Sequence, residues 1–207
     1  MRIITISRQF GSGGRELGKR LAERLDWDYY DKEIIEALAE DQGLDVDYIR
    51  KLLSNHGWQS VQLTYRSSFS HLLFDPGIRT QLLRRQSELL REIARVGNDC
   101  VIVGRDADVI LQEQHPFRVF ACADLRSRIE RCMVHERRRP PELQLTEKEV
   151  TRNIRRIDKN RMRTREVLTG KSRSDGSSFD LTINTTHWEI KRLCPALADF
   201  ALRWFEE

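Results

Sequence analysis

The chain has 207 residues, of which 33% are charged, and its 36 Lys and Arg against 32 Asp and Glu give a formal net charge of +4. This length suits one α/β domain with an insertion and is too short for two full domains. No apolar run approaches the roughly 20 residues of a membrane span, and the N-terminal "MRIITIS" is too short and too strand-like for a signal peptide. We therefore expect a cytoplasmic protein.

The cysteines give no sign of a metal or disulfide framework. Cys100, Cys122, Cys132 and Cys194 are scattered along the chain, without C-x-x-C spacing or neighbouring histidine pairs. We interpret them as buried, reduced thiols. No residue is assigned to a metal site.

Five short runs have the character of β-strands. They are rich in β-branched and aromatic residues and lie at 2–7, 27–30, 99–104, 117–122 and 179–184. Most are continuously apolar, which is typical of parallel strands covered on both faces. The sequence therefore predicts a three-layer α/β domain with a five-stranded parallel sheet.

Helical patterns separate these strands. Leucines at four-residue spacing within 17–25 give one apolar stripe that packs on the sheet. A second leucine-rich helix is predicted to end at Gly97-Asn98, a sequence that suits a helix C-cap. Capping-box spacing at 146–149 and at 186–189 predicts two further helix starts.

Two long excursions leave this compact pattern. About seventy mostly helical residues (32–98) separate the second strand from the third, and a shorter segment (136–178) lies between the fourth and the fifth. In open parallel sheets the ligand lies at the carboxyl ends of the strands, so both excursions can close over it. We treat the chain as a single domain, 1–207, with these two insertions.

"FGSGGRE" at 10–16 links the first strand to the first helix. Glycines let backbone N–H groups turn inward, and the helix offers its positive N-terminus to a phosphate. The predicted phosphate-binding residues are Arg8, Gly11, Ser12, Gly13, Gly14, Arg15 and Glu16. The loop lacks the usual G-K-[ST] ending, so we expect Arg15 to fold over the phosphate while Arg8 approaches from the strand. Glu16 would temper the charge or hold Mg²⁺ through water. The alternative is a ligand-free turn with Arg15 and Glu16 facing solvent.

Charged residues follow other predicted strands. Asp31 comes just after the second, and Gly104-Arg105-Asp106 ends the third. A guanidinium there would point into the crevice and bind a phosphate, although a surface ion pair is the alternative. The run "RRIDKNRMRTR" at 155–165 suits a lid that places arginines over phosphates. A solvated basic helix or a nucleic-acid patch remain the other interpretations.

In this order the segments "YYDKEII", "CVIVGRDADVIL", "VFACADLRSRIERCM", "RRIDKNRMR" and "FDLTINTT" resemble those of cytidylate kinases, and more closely the cytidylate-kinase-like family of bacterial proteins. The resemblance spans nearly the whole chain. It implies a P-loop nucleoside-monophosphate-kinase fold in which 32–98 binds the monophosphate and 136–178 forms the lid. It also implies that Arg105 contacts the acceptor monophosphate, that Asp158 and Arg161 belong to the lid, and that Arg128 lies near the phosphates. We thus expect catalytic roles for Arg15, Asp158 and Arg161, and acceptor binding by Asp31, Arg105, Asp106 and Arg128.

The chain also departs from that family's pattern. Gly14 and Glu16 stand where cytidylate kinases carry the phosphate lysine and the Mg²⁺ hydroxyl, although a shift by one residue would place Arg15 on the lysine. Ala37 stands where that family carries an acceptor-side arginine, so we expect acceptor recognition to be remodelled, with Arg66 and Arg84 as the candidates.

Three functions follow from these observations. The leading one is an ATP- and Mg²⁺-dependent kinase of a nucleoside monophosphate, with CMP or dCMP as the first acceptors. A nucleotide-binding regulatory protein is the second. The third is a nucleic-acid contact through the arginine-rich segment 152–165.

Overall fold

A parallel sheet organises the protein. The computed structural model describes residues 1–31, 76–170 and 178–206. Within them the strands are Ile3–Arg8 (β1), Asp28–Tyr30 (β2), Cys100–Val103 (β3), Phe117–Cys122 (β4) and Leu181–Asn184 (β5). They form one five-stranded sheet in the order β2-β3-β1-β4-β5, and every pairing is parallel. This confirms the predicted α/β class with a five-stranded parallel sheet, and the first strand lies inside that sheet.

Six α-helices connect and cover these strands in the described ranges: Gly14–Leu25 (α1), Pro76–Val96 (α2), Ala107–Ile110 (α3), Leu125–Glu136 (α4), Glu147–Thr169 (α5) and Ile190–Trp204 (α6). Short 3₁₀ turns lie at Gln112–Gln114 and Pro141–Leu143. None of these helices combines the length and the apolarity that a membrane crossing requires.

Two helix starts were predicted from capping boxes, and one is correct. The Thr146 hydroxyl caps α5 by accepting from the Glu149 N–H, and the Glu149 carboxylate accepts from the Thr146 N–H at 2.8 Å. The start predicted within 186–189 is wrong, because α6 begins at Ile190 behind Glu189, which makes no side-chain cap. The Thr186 hydroxyl instead accepts a hydrogen bond from the Asp124 N–H at 2.9 Å.

The core forms where α1 and α6 pack against the sheet. Leu17 and Leu21 are fully buried, as the stripe predicts. A Cβ added at Gly18 would lie 2.4 Å from Val103 Cγ2, so α1 approaches the sheet through this glycine. All four cysteines are free thiols, with Cys100 and Cys194 buried and the other two half-buried.

β1 lies between β3 and β4, and the register of these pairings determines which residues of the three strands lie side by side at the carboxyl end of β1. Ile6 pairs with Val103 and Arg8 with Ala121. The residues after these positions therefore share one edge of the sheet. Residues 32–75, which include Ala37 and Arg66 of the first excursion, and 171–177 of the second lie outside the described residues.

Candidate phosphate-binding site

The loop between β1 and α1 is fixed by its own bonds. Gly11 and Gly13 have positive φ angles of 79° and 80°, a region that glycine adopts without strain. Ser12 is fully buried. Its hydroxyl donates to the Gln9 carbonyl at 2.9 Å, and its carbonyl accepts from the Thr185 hydroxyl at 2.7 Å. The Ser12 hydroxyl, expected to face a phosphate, is therefore bonded within the protein.

Packing against the protein explains the glycines of this loop. A Cβ added at Gly11 would lie 2.8 Å from the Arg128 carbonyl oxygen, and one at Gly13 would lie 2.5 Å from Ile190 Cδ1. A Cβ at Gly14 would lie 2.8 Å from Arg8 Cβ. The sequence predicted these glycines as phosphate-binding residues whose backbone N–H groups turn inward. The structure shows that neighbouring protein atoms already exclude a side chain there.

The loop and the first turn of α1 present unpaired backbone donors. The N–H groups of Gly11, Gly13, Gly14 and Glu16 have no acceptor in the described part of the chain. Such donors at a helix start carry a partial positive charge. Donors grouped in this way can form a nest that binds an oxyanion.

Arg8 runs from this loop to the end of β3. Its Cβ lies beside Gly14, and a Cβ added at Gly104 would meet its Nη1 at 1.6 Å. No hydrogen bond or ion pair of its guanidinium is found within 1–31, 76–170 and 178–206. Burial, together with the positive charges of Arg161 and Arg105, lowers the pKa of Arg8 to about 9. An anion bound here would relieve that repulsion.

The turn after β3 is strained. Gly104, Arg105 and Asp106 have successive φ angles of 82°, 60° and 50°. A left-handed conformation costs a residue with a side chain roughly 1–2 kcal/mol, and such strain concentrates at functional sites. The turn brings Arg105 close to Arg8, and Arg105 Nη1 lies 3.5 Å from Gln86 Oε1.

A carboxylate pair follows this turn. Arg165 Nη2 lies 2.7 Å from Asp108 Oδ2, and its Nη1 lies 3.6 Å from Asp106 Oδ1. The Ser7 hydroxyl donates to Asp108 Oδ1 at 3.1 Å. Burial, followed by the nearby Asp108 charge, raises the pKa of Asp106 to about 6.

Side chains from α4 and α5 hold the backbone of the loop. Asp158 Oδ1 accepts from the Phe10 N–H at 2.8 Å. Arg128 Nε donates to the Phe10 carbonyl at 2.7 Å, and its Nη2 pairs with Asp158. Arg161 Nη1 donates to the Arg8 carbonyl at 2.9 Å. The structure thus brings Asp158, Arg128 and Arg161 to the loop, where they bind its peptide groups.

Arg15 and Glu16 point elsewhere. Arg15 Nε lies 2.8 Å from Oδ2 of the buried Asp31, so its guanidinium reaches toward the end of β2. Glu16 pairs with Arg20 at 2.7 Å on the exposed face of α1. Arg84, the described candidate for acceptor recognition, pairs with Glu88 on the surface of α2.

A model of the cytidylate kinase-like family matches residues 3–187. The chain belongs to the cytidylate kinase-like family. No curated protein matches it. Among solved structures, an uncharacterized protein from Eubacterium ventriosum is 22% identical with a TM-score of 0.69, over 97% of this chain and 98% of that one.

Two shikimate kinases share the fold of this cytidylate kinase-like protein. The enzyme from Acinetobacter baumannii, solved with shikimate, has a TM-score of 0.51 at 14% identity and covers 98% of this chain and 94% of its own. The enzyme from Bacteroides thetaiotaomicron has a TM-score of 0.53 at 15% identity, covering 96% and 97%. The chain therefore has the P-loop kinase fold that its sequence predicts.

Mg²⁺ accompanies ATP in kinases of this fold, and carboxylate oxygens are among its usual protein ligands. The described residues contain no group of three or more His, Cys, Asp or Glu that could hold a metal. Asp106 and Asp108 both face Arg165, and Asp31 faces Arg15. Because an arginine already faces each of these three carboxylates, they do not fit Mg²⁺ as they stand.

Three residues beside the site were not selected from the sequence. Gln86 is 2% exposed and its Nε2 has no partner, although its Oε1 faces Arg105. Asp108 and Arg165 form the ion pair described above. A glutamine within a leucine-rich helix gives no local signal. Arg165 belongs to the basic run 155–165, and the sequence does not show which arginine of that run faces the site. The packing of α5 places Arg165 against Asp108.

Proposed function

We propose that the chain is an ATP-dependent kinase that phosphorylates a nucleoside monophosphate, with CMP or dCMP as the first acceptors to examine. One observation carries this proposal: the guanidinium of Arg8 makes no hydrogen bond or ion pair with the described residues, although the Asp31 charge acts on it, and the Arg8 side chain starts beside a loop with unpaired N–H groups. A cation and a nest of donors at one place suit the phosphate chain of a nucleotide.

The positions of the arginines suggest how transfer would work. The loop would hold the donor phosphates through its N–H groups, and Arg105 would hold the acceptor phosphate. Arg8 spans from Gly14 to Gly104, so its guanidinium would lie between donor and acceptor, where the transferring phosphoryl group passes. Phosphoryl transfer depends chiefly on positioning and positive charge, and Arg161 would add to that charge.

A nucleotide-binding regulatory protein is the second candidate. Gly14 and Glu16 replace the usual lysine and hydroxyl, and Arg15 is bonded to Asp31. Such a site would bind ATP without transferring its phosphate. The nucleic-acid alternative is less well supported, because Arg161 and Arg165 of the basic run bond within the protein.

A coupled assay of ADP release tests the proposal. Wild-type protein is given ATP with each common nucleoside monophosphate in turn, and with shikimate as a further acceptor, with and without Mg²⁺. We expect ADP release above the acceptor-free rate with at least one monophosphate, strongest with CMP or dCMP. Background rates with every monophosphate, together with measurable ATP binding, would favour the regulatory protein. ADP release with shikimate and with none of the monophosphates would show that the acceptor is not a nucleotide.

A further inference from the structure

The peptide groups of Phe10 are bonded in an unusual way. This residue lies within the loop, yet neither its N–H nor its carbonyl bonds to described backbone. The N–H donates to Asp158 of α5 at 2.8 Å, and the carbonyl accepts from Arg128 of α4 at 2.7 Å. Two side chains from distant helices therefore replace the backbone partners that a peptide ordinarily has.

These two side chains also bond to each other. Arg128 Nη2 pairs with Asp158 Oδ2, and the side chains are only 8% and 22% exposed. The planar guanidinium of an arginine can bond two acceptors at fixed angles. The Arg128 guanidinium therefore fixes the Phe10 carbonyl and the Asp158 carboxylate relative to each other. Removing either partner would leave a poorly solvated charge on the other.

Arg161 adds a third contact from α5. It donates to the Arg8 carbonyl at 2.9 Å, and its guanidinium lies 5.7 Å from the centre of the Phe10 ring. Helix α5 thus bonds the backbone at Arg8, the end of β1, and at Phe10, within the loop.

We propose that Asp158 and Arg128 are positioning residues that fix the phosphate loop in its binding form. They act through the Phe10 peptide groups and do not touch the ligand. To bind one anion, the N–H groups of Gly11, Gly13 and Gly14 must point toward the same position. Rotation of the peptide groups of Phe10 would turn these N–H groups away from it. This inference rests on the proposed function insofar as the anion is the phosphate chain of a donor nucleotide. It differs from what the resemblance implied, which was a lid role for Asp158 and a place near the phosphates for Arg128.

The same contacts couple the loop to α5. A helix that bonds the loop must stay in place while the loop is ordered, so displacement of α5 would release the Phe10 peptides. Preorganised donors bind a developing or fixed charge without reorganisation. We call the contacts of Asp158 and Arg128 with the Phe10 peptide groups, and with each other, the latch. Through the latch, the order of the loop depends on the position of α5.

Asp158→Asn tests the latch, because it keeps an acceptor for Phe10 while removing the charge that holds Arg128. Asp180→Asn is the matched control. Asp180 likewise accepts from a backbone N–H, that of Arg118, and pairs with the Arg118 guanidinium. This pair joins β4 to the residue before β5, and its hydrogen bonds do not involve Phe10. Affinity for inorganic tripolyphosphate is measured by calorimetry, and amide hydrogen exchange is followed in peptides covering 8–16.

We expect Asp158→Asn to weaken tripolyphosphate binding about tenfold or more and to speed exchange in the loop, while Asp180→Asn changes neither. Arg128→Lys, which keeps the charge but lacks the fork, should behave as Asp158→Asn does and serves if that variant does not fold. Unchanged affinity and exchange in a folded latch variant would overturn the inference. If wild-type protein binds no tripolyphosphate, the proposed function fails, and the exchange comparison alone then decides the latch.

Discussion

At the scale of single residues, the site keeps like charges together. Burial lowers the pKa of Arg8 to about 9, and the nearby positive charges of Arg161 and Arg105 add to that shift. Asp106 is likewise held near Asp108. Such groupings destabilise a folded chain and commonly mark functional sites. A bound anion would compensate the arginines.

Asp106 gives a prediction about stability and pH. Its folded pKa of about 6 lies above the ordinary value of about 3.9. The folded state therefore keeps a proton that the unfolded state releases between these values. The stability linked to that proton is present below about pH 4 and is lost as pH rises through about 6.

Asp106→Asn removes this dependence. Relative to wild type, the variant should gain stability as pH rises from 4.5 to 7, by at most about 2–3 kcal/mol. Urea unfolding at several pH values measures the difference. Glu113→Gln, on an exposed turn, is the control and should track wild type. A stability difference between Asp106→Asn and wild type that is constant with pH would contradict the prediction.

At the scale of elements, the packing of α1 on the sheet sets where the loop lies. Gly18 leaves no room for a side chain, because an added Cβ would lie 2.4 Å from Val103 Cγ2 and 3.3 Å from Ile6 Cδ1. Both contacts lie on strands whose carboxyl ends carry the site. A shift of α1 would therefore move the loop relative to Arg105.

Gly18→Ala should destabilise the protein by about 1–3 kcal/mol, since overpacking outweighs the better helix propensity of alanine. Lys19→Ala, on the exposed face of the same helix, gains propensity without the clash and should not destabilise. Thermal and urea unfolding report both. Adding Val103→Ala should recover part of the loss in Gly18→Ala. A Gly18→Ala protein as stable as wild type would show that α1 can move away from the sheet.

The sequence predicted elements better than contacts. The strand runs are correct to within about two residues, because continuous apolar, β-branched segments have few alternatives to a buried strand. The predicted box at 186–189 failed because Thr186 bonds Asp124, which is far away in sequence. For the same reason, the bonds of Asp158 and Arg128 to Phe10 could not be read from the motifs that contain them.

At the scale of the whole molecule, the site depends on residues spread along the chain. β1 contributes Arg8, the turn after β3 contributes Arg105, and α4 and α5 contribute the side chains that hold the loop. The parallel sheet brings these residues together, because β1 lies between β3 and β4 and their carboxyl ends share one edge. Fold alone does not fix the acceptor. The test of the account is therefore whether the converging charges bind a nucleotide phosphate.

The most direct measurement is the affinity for ATP, by calorimetry at one salt concentration, of wild type, Arg8→Met and Arg126→Met. Methionine keeps much of the apolar stem of Arg8 but removes its charge. Arg126, with a side chain 90% exposed on α4, is the matched control. A charge-assisted hydrogen bond contributes roughly 1.5–3 kcal/mol, so Arg8→Met should bind ATP about tenfold or more weakly, while Arg126→Met binds as wild type does. Equal ATP affinity in Arg8→Met and wild type would contradict the account.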